Sequence, residues 1–305
     1  MMSLSARIAP MALFFLALTA SAVEPGVRKL EAPGIENFYS VTDSIYSGGS
    51  PETEEAFKAL ARLGIKSIVT VDGAKPNVDL ARRYGLRYIH IPHGYDGIPQ
   101  ETAAKLVKAA QTADGPIYVH CHHGKHRGPA AVGVMCQATA GWSPQTAESW
   151  LQTAGTAKDY AGLYRSVRQF RKPTDDELSR LPSKFPESTE VSAMVDTMVE
   201  IEQRWDRLKG LASKAGIAPD AATEAVLLWE QFREAQRLPD TARLGKRFQA
   251  EMNHSEAAAA RLREALKSNP IAHDDIRKAM AEISDSCKTC HQAFRDLGGT
   301  DRPKK

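Results

Sequence analysis

Histidine, cysteine and arginine crowd into one stretch, His120-Cys121-His122-His123-Gly124-Lys125-His126-Arg127-Gly128-Pro129, between an apolar segment and a run of small residues. A cysteine closing a strand, followed by five residues, an arginine and a helix start, is suited to one chemistry. The backbone N–H groups of residues 122 to 127 can turn inward around a tetrahedral oxyanion, because the loop wraps the unsatisfied N-terminus of a helix whose dipole favours negative charge. Arg127 adds a fork of donors for two of the anion's oxygens. The same positive field favours the thiolate form of Cys121, which can attack phosphorus. Gly124 lets the loop turn without a Cβ, and Gly128-Pro129 opens the helix where a missing N–H does no harm. His122, His123, Gly124, Lys125, His126 and Arg127 are thus the expected phosphate-binding set. The side chains of His122, His123 and His126 are read as solvated rather than metal-ligating, and they make the loop cationic.

A second reactive pattern lies far along the chain, at Cys287-Lys288-Thr289-Cys290-His291. Cys-x-x-Cys-His offers two thiols for thioether bonds to haem vinyl groups and an imidazole, His291, as iron ligand. A zinc centre would need two more ligands, and His254 and His273 stand isolated; a redox dithiol would leave His291 without a role. The expected cofactor is therefore covalent haem c. The fourth cysteine, Cys136, falls among Val132, Val134 and Met135 about two turns into a helix and reads as a small buried apolar side chain. No disulfide framework is expected.

Arg7 precedes an apolar run from Met11 to Ala20, and Ala20-Ser21-Ala22 ends it with small residues. Residues 1–22 read as a cleaved secretory signal, too short to span a bilayer, and the expected address is the bacterial periplasm, the side on which c-type haem is attached. The chain has 305 residues, a formal charge of +3 and 42% hydrophobic residues, enough for two domains with cores of their own. Its basic clusters are short, so no nucleic-acid partner is expected, nor a stable membrane span.

The elements that must position these groups can be traced from periodicity. Ile45 to Gly49 reads as a strand, Ser50 to Glu54 as a capped helix start with the helix running to Leu63, and Lys66 to Val71 as a buried strand. A helix from Val78 to Tyr84, a strand from Leu86 to Pro92 and a helix from Gln100 to Thr112 follow. Pro116 to His120 is the strand that delivers the cysteine, and helices begin near Gly128, Ser143 and Lys158. Strands alternating with helices imply an α/β domain with a mainly parallel sheet, assigned to 33–171. Residues 172–188, with three prolines and alternating charge, read as a loosely packed linker. Beyond it, Val191, Met194, Met198, Ile201, Trp205 and Leu208 recur at helical spacing, and three further amphipathic stretches follow with turns at 210–219, 237–240 and 267–274. The fold class is thus an α/β domain followed by an all-α four-helix bundle at 189–298.

The His120-Cys121-(five residues)-Arg127 signature and the element order from Ile45 onward resemble the cysteine-dependent protein tyrosine phosphatases, in their compact dual-specificity branch, over residues 35 to 171. The resemblance implies Cys121 as nucleophile, Arg127 as transition-state clamp and His120 as a neighbour that helps hold the thiolate. It also implies an aspartate as general acid on a preceding loop. Asp96, in His93-Gly94-Tyr95-Asp96-Gly97, is preferred, with Asp72 as runner-up. The family usually carries a serine or threonine after the arginine; here Gly128 stands, without the hydroxyl that helps cysteine leave the phosphoenzyme. The segment Cys287 to Arg295, on the last of four helices, resembles the end of the cytochrome c′ family, over residues 189 to 297. That resemblance implies a second iron face either empty or bound by a first-helix methionine, for which Met194 and Met198 are candidates.

Two functions follow as expectations. One is an exported phosphatase acting on phosphotyrosine, phosphoserine/threonine or a small phosphate ester, with a haem domain for redox or gas sensing or electron transfer. The other is a periplasmic electron-transfer or gas-binding cytochrome whose α/β domain binds an inorganic oxyanion or does sulfur chemistry without phosphatase turnover. Expected partners are a phosphorylated substrate or inorganic oxyanion, a redox partner protein, and a second copy paired through the bundle.

Overall fold

The computed structural model describes residues 26–158, 160–212 and 217–296. The expected signal segment 1–22 lies outside the described residues, as do residues 297 and 298 at the end of the expected bundle domain.

Residues up to 120 supply a six-stranded sheet: β1 (Arg28–Lys29), β2 (Tyr39–Ser40), β3 (Ile45–Gly48), β4 (Ser67–Thr70), β5 (Arg87–His90) and β6 (Ile117–His120), in the order β1-β2-β3-β6-β4-β5. The β3, β6, β4 and β5 strands run parallel, and β1 and β2 add an antiparallel edge at β3. The edge strands are two residues each, too short to show an alternating pattern in sequence. Along the central strands the side chains alternate between two buried faces. Val69, Ile89, Ile117 and Val119 join one core with α3 (Gln100–Thr112), α4 (Arg127–Thr139), α5 (Pro144–Thr153) and α6 (Ala161–Arg168). Ile68, Tyr88 and Tyr118 join the other with α1 (Glu54–Arg62) and α2 (Val78–Arg83). Burial on both faces is what makes these strands read as continuous apolar runs.

The helix expected to start at Ser50 begins later. Thr53 is its N-cap, accepting from the Ala56 N–H, while the Ser50 N–H donates to the His122 carbonyl at 2.8 Å and ties that segment to the cysteine loop. The expected loose linker is also corrected. Within it Thr174 and Glu177 form a capping box that opens α7 (Asp175–Ser179), and Leu178 and Phe185 are buried in the α/β core. The Pro186 carbonyl accepts from the His90 N–H at 2.9 Å, and the Arg87 guanidinium donates to the Phe185 carbonyl at 2.6 Å. Three prolines there limit helix and ladder hydrogen bonding, and the chain compensates by docking its apolar residues along β5.

The helical part comprises α8 (Ala193–Leu211), α9 (Ala221–Arg237), α10 (Pro239–Lys267) and α11 (His273–Phe294). Gly245, at φ 83° and ψ −178°, breaks α10 near its start, so the expected turn at 237–240 extends further than the polar residues suggested. Leu208, Ala225, Leu228, Phe232, Phe248, Met252, Leu262, Ile276 and Ile283 form its core. Among the described residues no helix is long and apolar enough to cross a membrane.

Candidate active site at the domain seam

Parallel strands in register bring Gly48, His120 and Thr70 side by side at one end of the sheet. Open parallel sheets place ligands at this carboxyl edge, and here Cys121 emerges between the segments that follow β3 and β4. The loop from Cys121 to α4 is shaped by its carbonyls. His122 O accepts from Ser50 N (2.8 Å), Gly124 O from the Asn37 amide (2.9 Å), Lys125 O from the Thr156 hydroxyl (2.6 Å) and His126 O from Ala130 N (3.1 Å). With these oxygens engaged outward, the N–H groups of residues 122–127 donate to no described protein acceptor, as an anion cradle requires. Gly124 has φ 67°, and a Cβ there would lie 2.2 Å from the Gly48 carbonyl carbon. Gly128 has more room, its Cβ position lying 3.2 Å from the Cys121 nitrogen. Cys121 itself is only 3% exposed.

Arg127, the first residue of α4, is equally enclosed. Its Nη2 donates to Asp72 Oδ2 at 3.2 Å, with side-chain exposures of 8% and 6%, and its Nε is buried without a partner. Tyr95 lies over the guanidinium, 4.4 Å from ring centre to carbon. Burial opposes charge on both members of the ion pair. On Asp72 the Arg127 charge and the Ala74 N–H outweigh it and hold the carboxyl at about 2. Engaged with Arg127 in this way, Asp72 is placed to position that guanidinium. Asp96 lies on the adjacent 92–99 loop, next to Tyr95. Its backbone packs on Gly162, and it also lines a depression of about 360 Å³ with Ile98, Gly162 and Arg165.

His120 is buried against Tyr118 and Tyr88, and burial pushes it down to about 4, so it neighbours Cys121 as a neutral ring. Burial likewise holds His126 at about 4, between Tyr95 and Tyr160. The loop is therefore less cationic than three solvated histidines would make it. His122 behaves oppositely: the Glu202 carboxylate raises it to about 9.

Glu202 comes from α8, and its approach was not expected. His122 Nδ1 lies 3.5 Å from Glu202 Oε2, and both His122 and His123 face Asp206. Closer to its start α8 crosses Gly73, where a Cβ would meet Val195 Cγ1 at 2.4 Å. From the other end of the bundle Arg295 sits 4.0 Å from the Tyr95 ring centre, so two guanidiniums share that ring. Tyr95, Glu202, Asp206 and Arg295 are the site neighbours that sequence reasoning missed. The available signal was a second stripe on α8, Val195, Val199, Glu202 and Asp206, spaced three and four apart beside the bundle stripe.

On α11, Cys287 and Cys290 are free thiols one turn apart, raised by burial to about 11 and 12. Burial drives His291 down to about 3, leaving a neutral imidazole with a lone pair for a metal. In the bundle α8 packs on α9, α9 on α10 and α10 on α11, while α11 does not close tightly onto α8 among the described residues. Met194 and Met198 pack half-buried against the bundle core. The donor set and the open seam fit a haem held by Cys287, Cys290 and His291.

Comparisons with known proteins agree with this division. Residues 37–179 match the family model described as "Swiss Army Knife protein, DSP-PTPase phosphatase domain", and residues 191–295 match "Cytochrome C'". The dual specificity protein phosphatase TpbA of Pseudomonas aeruginosa (strain UCBPP-PA14) is 24% identical over 139 residues, covering 45% of this chain and 62% of that protein. The chain thus spans about three fifths of the curated relatives it matches. A crystal structure of P. aeruginosa TpbA aligns with 21% identity and TM-score 0.44, over 51% of this chain and 96% of that one. The core catalytic domain of the PP-IP phosphatase SIW14 from S. cerevisiae aligns with 24% identity and TM-score 0.41, over 48% and 90%. Two successive regions of the chain are thus similar, in turn, to a phosphatase domain of the kind found in TpbA and to a cytochrome C' domain.

Proposed function

We propose that the protein is an exported cysteine-dependent phosphatase whose access is governed by a c-type haem domain. The observation that carries the reading is the loop between β6 and α4, with Cys121 at one end, Arg127 at the other and N–H groups that donate to no acceptor among the described residues. The buried Arg127 Nε without a partner adds a donor that an oxyanion would satisfy. In the proposed reaction the Cys121 thiolate attacks phosphorus, the P–O bond to the leaving group breaks, and Asp96 supplies the leaving oxygen's proton. Arg127 and the loop N–H groups stabilise the charge on the equatorial oxygens. Water then attacks the phosphocysteine, Asp96 takes its proton, and Cys121 leaves as thiolate. TpbA's description as a dual-specificity protein phosphatase supports phosphorylated protein side chains as the substrate class.

Cys287 and Cys290 would hold the haem through thioether bonds and His291 its iron, and Met194 and Met198 are candidates for a second ligand where that position is not left empty. When bound, haem supplies an iron that changes redox state or takes a small gas ligand. The contacts of Glu202, Asp206 and Arg295 with His122, His123 and Tyr95 support a role for the bundle in covering the cysteine loop. The test is turnover of an aryl phosphate by purified holoprotein beside Cys121→Ser. Wild type should turn over and the variant should lose at least about a thousandfold; equal, negligible rates overturn the reading.

Gly128 favours a second reading, oxyanion binding with slow release of the phosphoenzyme. On that reading Gly128→Ser raises steady-state turnover while leaving the initial burst rate unchanged. An unchanged ratio of burst to steady rate excludes it.

A further inference from the structure

His122 and His123 follow Cys121 directly; their rings stack 4.1 Å apart at 13°, so one ring must turn out of the stack for both lone pairs to meet one ion. One oxygen faces both: Asp206 Oδ2 is 3.7 Å from His122 Nε2 and 3.6 Å from His123 Nε2. These separations are too long for hydrogen bonds. They are close to the edge of about 3.4 Å that a tetrahedral centre with metal–ligand bonds of about 2.1 Å would have. The three ligand atoms lie within 4.8 Å of one another. Each imidazole also turns its other nitrogen to a carboxylate: His122 Nδ1 is 3.5 Å from Glu202 Oε2, and His123 Nδ1 is 3.4 Å from Glu36 Oε2. Carboxylates behind the distal nitrogens orient histidine ligands and raise their basicity at metal centres. The second Asp206 oxygen is held by Lys209 Nζ at 2.6 Å, which leaves Oδ2 for the histidines.

The geometry points to a zinc-class divalent metal site made by His122, His123 and Asp206, with Glu202 and Glu36 as outer-shell carboxylates, joining the cysteine loop to the bundle's first helix. With the His122 proton released on binding, two imidazoles and one carboxylate suit zinc, nickel, copper or cobalt(II) rather than calcium or magnesium. Three protein ligands leave one position for water or a substrate oxygen. Side-chain exposures of 22%, 40% and 26% let such an ion exchange with solvent. The site is independent of the haem and of whether Cys121 turns over a phosphoester.

Zinc titration of the full-length holoprotein by calorimetry, with X-ray absorption at the zinc edge, tests it. Wild type should take one equivalent, with imidazole nitrogens and oxygen around the metal and no sulfur. Asp206→Ala and His123→Ala, with haem absorption unchanged as a check on folding, should abolish that binding. Glu36→Gln should weaken it about 10- to 100-fold, and Cys121→Ser should retain it. No binding to wild type, binding undiminished in Asp206→Ala, or a sulfur scatterer lost in Cys121→Ser overturns the assignment.

Discussion

Replacing Asp72 by asparagine isolates the ion pair beneath the cysteine loop. Asp72 and Arg127 are both almost fully buried, 3.2 Å apart, and the carboxyl is held at about 2 against an ordinary 3.8. That depression corresponds to about 2 kcal/mol of stabilisation at neutral pH. Removing one partner also leaves Arg127 charged and underpaired in the core, which costs about 3–5 kcal/mol in buried pairs generally. The expected loss at pH 7 is therefore about 2–4 kcal/mol. Because the folded carboxyl lies below the unfolded one, its contribution is complete above 3.8 and fades as pH falls through 3.8 toward 2. The gap between wild type and Asp72→Asn should accordingly narrow by about 1 kcal/mol between pH 7 and pH 3. Guanidinium unfolding followed at Trp150, which is buried in the α/β core and donates to the Pro129 carbonyl at 3.0 Å, reads that domain. The pH–rate profile gives a second reading: its alkaline limb should persist in Asp72→Asn and disappear in Asp96→Asn. A variant within about 0.5 kcal/mol of wild type at pH 7, a gap that does not change with pH, or an alkaline limb lost with Asp72 would refute the argument.

Two further outcomes are expected. Gly124→Ala should destabilise the α/β domain by more than about 2 kcal/mol, because it adds left-handed strain to a Cβ 2.2 Å from the Gly48 carbonyl carbon. Its melting should also lose the rise that inorganic phosphate gives wild type; a variant that melts with wild type and still responds to phosphate counts against the cradle. Gly73→Leu should push α8 away at Val195 and speed alkylation of Cys121, which is otherwise 3% exposed. An unchanged alkylation rate would mean that α8 does not limit access to the thiol.

What sequence could reveal here follows from the range of each interaction. The cysteine loop, its strand and its helix are local: Cys121 to Arg127 spans one turn, and the residue types that shape it are adjacent. The bundle stripe was equally plain, since Met194, Met198, Ile201, Trp205 and Leu208 repeat with helical period. Asp72 was ranked below Asp96 on loop position alone, and the ion pair that gives it another role joins residues 55 apart. The connector misled because proline and charge are shared by linkers and by extended segments that dock on a sheet; burial of Phe185 and the bond from His90 N to Pro186 O distinguish them. The histidines carried no local sign of Glu202 or Asp206, which approach from the other domain.

The second stripe of α8 also sets how firmly the bundle can sit on the loop. Its contacts are a small apolar patch at Gly73, carboxylates on partly exposed histidines, and Arg295 on Tyr95; Val195 stays 40% exposed even in contact. Exposed ion pairs contribute about 0–1 kcal/mol each, and a lightly packed interdomain surface allows relative motion by default. Had α8 presented leucines to the sheet edge, closure would be permanent and Cys121 unreachable. With polar contacts, and on the proposed function, a differential interaction of about 1–3 kcal/mol, the scale of ordinary allosteric coupling, would be enough to uncover the loop. Arg295, the C-cap of α11, lies four residues beyond His291 and touches the same tyrosine that covers Arg127. On the proposed function, Tyr95 would be the contact through which a change at His291 reaches Arg127.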